Sequence, residues 1–171
     1  MERITITRDD QRITPDDQWM GPGHERVDPD HRRLVLALGA ACESGDPVAV
    51  AATLHPAVTL IIDRGRHADP LPATARGVAA STALLLALFD DLAAGGPATR
   101  PATRPPTVPA TRPALSIRER SVNGCAGLLV TRDARAVAVL TAATAPTAAG
   151  PAIRTLWIVT SPAKLQHWNA P

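Results

Sequence analysis

Chemistry in this chain would start at Asp63 and His67. A carboxylate and an imidazole four residues apart follow the apolar run Val58-Thr59-Leu60-Ile61-Ile62. Placed in a desolvated pocket, such a pair can shuttle a proton as general acid and base, provided burial moves a pKa toward neutrality. Arg64 or Arg66 could then steady developing negative charge. The competing reading makes Asp63 a turn carboxylate that caps nearby N–H groups or pairs with a cation. The surrounding arginines favour that reading, because neighbouring positive charge lowers a carboxyl pKa rather than raising it. His55 precedes Pro56 at an element end and reads as a cap or surface residue. His167 lies in the C-terminal tail, poorly placed for catalysis unless that tail folds back over a pocket. Asn123 precedes Gly124 and is first a turn former, needed where φ is positive; second, it is a binding residue. Trp157 reads as core and, failing that, as a pocket wall.

Several function classes drop out. Ser, His and acid residues form no nucleophile-elbow pattern, and no glycine-rich phosphate loop is present. Cys42 and Cys125 belong to no CxxC or Cys/His cluster, so no structural zinc site is expected and two reduced, buried thiols are. No cofactor or metal is expected at all. The N-terminus lacks the apolar stretch of a secretory signal, and no apolar run approaches the ~20 residues of a membrane span. A cytoplasmic protein with no membrane contact is expected. Net charge is +2, too small to argue for nucleic acid.

The elements that must position these groups are legible as punctuation. Residues 1–27 are polar and broken by Pro15 and Gly21-Pro22-Gly23, as in a flexible tail. Trp19 within it is either docked on the domain or loosely held. Through residue 30 the chain carries eight acids against four arginines, as a solvated tail does. Asp28-Pro29 and Asp46-Pro47 are helix starts: Asp caps free N–H groups and Pro loses nothing at the first position. The first helix runs to about Glu43 with an apolar stripe at Leu34, Val35, Leu38 and Cys42, and Gly45 ends it. The second runs to Leu54, and His55-Pro56 stops it. A buried strand follows at Val58–Ile62. A third helix begins after Gly77, with Leu84, Leu85, Leu88, Phe89 and Leu92 as its apolar face.

Residues 96–113 are low in complexity. Pro-Ala-Thr-Arg starts at Pro97, Pro101 and Pro109, and so many prolines favour extended, mobile chain. Arg100, Arg104 and Arg112 could touch nucleic acid or an acidic partner. Nothing aromatic is interleaved for base stacking, so an expanded surface loop is the stronger expectation. Strands follow at Ala114–Ser121, Ala126–Thr131 and Ala136–Ala143, with turns at Asn123-Gly124 and Arg132-Asp133. A breaker region then runs to Pro151, and the last strand spans Ile153–Val159. Ser161-Pro162 stops that strand, since proline has no N–H for the ladder. Helices gathered first and strands gathered last make an α+β layer fold. The core must be aliphatic, since the chain has one Phe and no Tyr. Its Ala, Pro and Arg richness fits a GC-rich genome.

Three local patterns carry a resemblance. They are Asp28-Pro29-Asp30-His31-Arg32-Arg33 leading to Ala41-Cys42-Glu43-Ser44-Gly45-Asp46, then Leu54-His55-Pro56-Ala57-Val58, then Val122-Asn123-Gly124-Cys125-Ala126-Gly127. With the ending Ile153 to Leu165, they resemble SnoaL-like domains, within the nuclear-transport-factor-like cone. The nearest likeness is to the C-terminal domain fused to one group of extracytoplasmic-function sigma factors. The likeness covers residues 28–168 apart from the insert. Asp63-Arg64-Gly65-Arg66 stands where that group has Asp-Gly-Gly-Gly-Lys, and Thr160-Ser161-Pro162 where it has a residue and Asn-Pro. No helix-turn-helix pattern precedes the domain, so the chain resembles the regulatory domain without its promoter-binding regions.

The resemblance implies a cone of three helices on a curved antiparallel or mixed sheet. It implies a pocket drawing on Asp63, Arg66, Phe89, Asn123 and Trp157, and a homodimer through the outer sheet face. Functionally, it implies a non-catalytic regulatory or ligand-binding module. Its partners would be a small apolar ligand, a sigma factor or RNA polymerase, without direct nucleic-acid contact. The alternative it carries is a small cyclase, isomerase or hydrolase acting on polyketide-like substrates through Asp63 and His67.

Overall fold

The computed structural model describes residues 28–65, 73–95 and 115–169. Both Asp-Pro starts behave as their chemistry requires. Helix α1 (Pro29–Ser44) is capped by Asp28, whose side chain accepts from the Asp30 N–H at 2.9 Å. Helix α2 (Pro47–Thr53) is capped by Asp46, which accepts from the Val48 and Ala49 N–H groups. Gly45 closes α1 in the left-handed conformation, where a side chain would be strained. Helix α3 (Val78–Ala94) follows Gly77 and buries Leu84, Leu85, Leu88, Phe89 and Leu92, the expected face.

The strands are β1 (Leu54–Asp63), β2 (Thr74–Arg76), β3 (Ser116–Val122), β4 (Cys125–Arg132), β5 (Arg135–Thr147) and β6 (Gly150–Val159). They form one sheet in the order β2-β1-β6-β5-β4-β3. Among the described strands only β1 and β6 run parallel, so the sheet is mixed. Register shifts in the β1–β6, β4–β5 and β5–β6 pairs bend the strands, as bulges do. Val35, Leu38 and Cys42 of α1, Val50 of α2 and the α3 face pack on Leu60, Leu128, Leu140, Ile153, Leu156 and Ile158 of the sheet. The result is the expected α+β cone, three helices on one face of a curved sheet.

Four expectations shift. The second helix ends one residue earlier than expected, at Thr53 with Leu54 as its cap; β1 starts at Leu54, and Pro56 sits where β1 and β6 lose register between Leu54 and Thr59. The short edge strand β2 carries no sequence pattern of its own. The second hairpin turns at Asp133 and Ala134, both at positive φ, one residue later than expected. The region up to Pro151 is not a breaker but a hairpin closed by Ala148-Ala149, with Pro146 opposite Pro151. Next to a two-residue turn, that pair is the one without mutual N–H···O bonds, and neither neighbouring strand extends that far. Proline costs the ladder nothing there.

The C-terminal tail and the outer-face groove

Asp63 ends β1 at the sheet surface. Its carboxylate accepts from the Gly65 N–H at 2.9 Å and from the Lys164 ammonium at 2.7 Å. These two donors, Lys164 first, hold the Asp63 carboxyl below its ordinary value. That is the environment of a structural carboxylate and opposite to what a general acid needs. The backbone joins the same two segments: the Asp63 carbonyl accepts from the Thr160 and Ser161 N–H groups. Gly65 lies at φ 71°, and a Cβ there would stand 2.6 Å from Ser161 Oγ. The single glycine after β1 therefore serves close approach to the buried Ser161.

Beyond Ser161 the chain folds back across the sheet face remote from the helices. Leu165 is buried there with Leu129, Ala136 and Val139, and Val122, Val159 and Trp168 pack around them. A 3-10 turn at Gln166–Trp168 brings round Asn169, whose carboxamide accepts from the Ala136 N–H at 2.7 Å and donates to the Ala136 carbonyl and the Leu165 carbonyl at 3.2 Å. β6 last pairs with β5 at Val159 and Val139, and Asn169 takes over the ladder role that Pro162 could not fill.

Between this tail and the β3–β4 hairpin lies an open groove of about 390 Å³. Val139 and Val159 line it from the sheet, and Val122, Leu165 and Trp168 line it further. Ser121, Asn123, Lys164 and His167 supply polar groups. Inside the cone, by contrast, the gap bounded by Val35, Leu38, Leu128, Leu140 and Leu156 has no room for a water.

Of the expected pocket residues that are described, Asn123 lines this groove and Asp63, Phe89 and Trp157 do not. Arg66 and His67 lie outside the described residues, as do the tail 1–27 with Trp19 and the insert 96–113. Phe89 is buried in the core with the α3 face, on the helix side of the sheet. Trp157 is half-buried rather than core. It lies level with Ile61 and Thr141 on the strands beside it, and its flanking residues Leu156 and Ile158 take the core face. Asn123 turns the chain at φ 52°, as expected, and it lines the groove. His55 is a local cap, its Nδ1 accepting from the Ala57 N–H. Cys42 is buried, which pushes its thiol up to about 12; Cys125 is half-buried, and both are free. The docked tail went unread because Lys164, Leu165 and Asn169 acquire partners only through tertiary contact. Among the described residues no group of His, Cys, Asp and Glu could hold a metal ion, and no helix is long and apolar enough to cross a membrane.

The α+β arrangement, three helices on a curved mixed sheet, is similar to that of solved NTF2-like structures. No family model matches the sequence, and no curated protein matches it either; the likeness is to solved structures. The extracytoplasmic function sigma factor SigJ of Mycobacterium tuberculosis is similar over 84% of this chain and 46% of that one, at 22% identity and a TM-score of 0.50. This chain thus corresponds to under half of that protein. An NTF2-like protein of unknown function from Pseudomonas putida is similar over 75% and 82% of the two chains, at 8% identity and a TM-score of 0.49. A proposed ketosteroid isomerase from Shewanella frigidimarina is similar over 77% and 96%, at 15% identity and a TM-score of 0.47.

Proposed function

We propose that this chain is a non-catalytic SnoaL-like module whose task is binding, as a regulatory or ligand-binding domain. The observation that carries this reading is the state of Asp63. It is the member of the acid/base pair that lies among the described residues, and it is committed to Lys164 and to the Gly65 N–H. A carboxylate so held ties β1 to the tail and is a poor proton donor near neutrality. The closed gap beneath α1 also leaves no space there for a substrate.

Partners follow from the resemblance. Two segments that depart from the sigma-fused pattern, Asp63 to Gly65 and Ser161 to Leu165, lock together here. A sigma factor or RNA polymerase is the protein partner proposed, in the cytoplasm. A homodimer through the outer face would use the strip around Ile61, Thr141 and Trp157, because the tail covers Leu129 and Ala136. The experiment is surface-based binding of the full chain to purified RNA polymerase core and sigma factors from the same host, beside turnover assays with cyclase, isomerase and hydrolase substrates. Saturable binding that Asp63→Asn weakens supports the module. Turnover abolished by Asp63→Asn and by His67→Ala overturns it in favour of the enzyme.

A further inference from the structure

We infer that the groove between the C-terminal tail and the β3–β4 hairpin is a binding site for a small apolar ligand with an anionic head, an aromatic or medium-chain carboxylate. This rests on the ligand-binding form of the reading above. It moves the ligand from the inside of the cone to the opposite face of the sheet.

Size favours the outer site. The groove holds about 390 Å³, within the roughly 300–1,000 Å³ of small-molecule pockets, whereas the gap beneath α1 admits no water. The walls are pre-formed. Val139 and Val159 sit on paired strands, and Asn169 and the buried Leu165 pin the tail. A site that need not be ordered on binding keeps more of its contact energy.

Charge selects the head group. The β3–β4 register sets Arg118 opposite Leu129 and Arg120 opposite Gly127. Leu129 belongs to the cluster under the tail, so both arginines occupy outer-face positions. Lys164 lines the groove and is paired with Asp63, and among the described residues no acid lines it. The Lys164 ammonium has three donors and gives one to Asp63, leaving others for an incoming carboxylate. The Asn123 carboxamide and the His167 ring stand at the same groove. The valines and Trp168 then receive the apolar body.

The test is methyl-resolved NMR of the full chain titrated with naphthoate to millimolar concentration. Shifts at Val122, Val139, Val159 and Leu165 are expected, without shifts at Leu38, Leu128 and Leu140. Asn123→Gly keeps the positive φ, removes the carboxamide and should weaken binding about tenfold if that group meets the head. Val122→Trp, at an outer-face position lining the groove, should abolish the remaining shifts by filling the space. Shifts at the inner methyls instead overturn the groove and leave the ligand-binding reading standing. No shift at either set, with RNA polymerase binding intact, overturns the groove and leaves the protein-binding reading. Outer-methyl shifts caused without naphthoate by Trp19→Ala, or by dilution, assign the groove to the chain's own N-terminal segment or to a second copy, and also overturn it.

Discussion

Gly65→Ala tests the joint between β1 and the tail most directly. Two costs add at this position. A non-glycine residue at φ 71° costs roughly 1–2 kcal/mol. The new Cβ also meets Ser161 Oγ at 2.6 Å and Ser161 Cβ at 3.2 Å. Ser161 is buried and cannot swing into solvent, so relief requires backbone movement, at roughly 1–3 kcal/mol for an overpacked site. The expected loss is about 3 kcal/mol, measured by urea unfolding followed by far-UV circular dichroism. Native-state hydrogen exchange should quicken first at the Thr160 and Ser161 amides, which donate to the Asp63 carbonyl. Ser161→Ala removes the nearer atom, so Gly65→Ala in that background should cost chiefly the backbone share. A change below about 0.5 kcal/mol in the wild-type background would refute the close-approach argument. So would equal costs in both backgrounds.

The remaining predictions concern neighbouring features. Asn169→Ala should speed exchange at the Ala136 amide and cost about 1–3 kcal/mol, because it strands backbone groups under the tail. Ala134→Gly should stabilise by roughly 0.5–1 kcal/mol in thermal unfolding, since Ala134 stands at φ 62°. For pH, the Asp63 carboxyl is lowered in the folded chain, so its stabilisation is fully present above the unfolded value of about 3.9. It is lost as pH falls through the folded value. The stability advantage of wild type over Asp63→Asn should thus be level from neutral pH to about pH 4 and then decline; an advantage that grows on acidification would contradict the Lys164 pair. In native protein at mildly alkaline pH, Ellman's reagent should titrate Cys125 and spare Cys42, whose thiol is pushed up to about 12, and denaturant should expose both.

Much of the cone is written in local chemistry. Asp28-Pro29, Gly45 and Asp46-Pro47 mark helix boundaries because capping and φ restrictions act within a few residues. The Asn123-Gly124 hairpin was legible for the same reason. The Leu84 to Leu92 stripe reveals a buried face because side-chain period is set by helix geometry. Legibility failed where a local rule has a tertiary exception. Pro146 and Pro151 read as breakers because their missing N–H is a local fact, while the absence of a third strand beside them is not. Phe89 and Trp157 are apolar whichever face they take, so composition could not separate the core from the outer sheet face.

By itself, then, the sequence determined the helix starts, the hairpin at Asn123, the aliphatic core and the α+β layering, since each depends on neighbours along the chain. It also indicated how Asp63 behaves: a carboxylate among cations is lowered wherever those cations come from. Only the tertiary structure decided that the cation is Lys164, 101 residues away. It also decided that Asn169 completes the Ala136 edge, and that the open groove lies outside the cone. Those outcomes depend on which surfaces meet once the sheet curves, and no periodicity of the chain encodes that meeting.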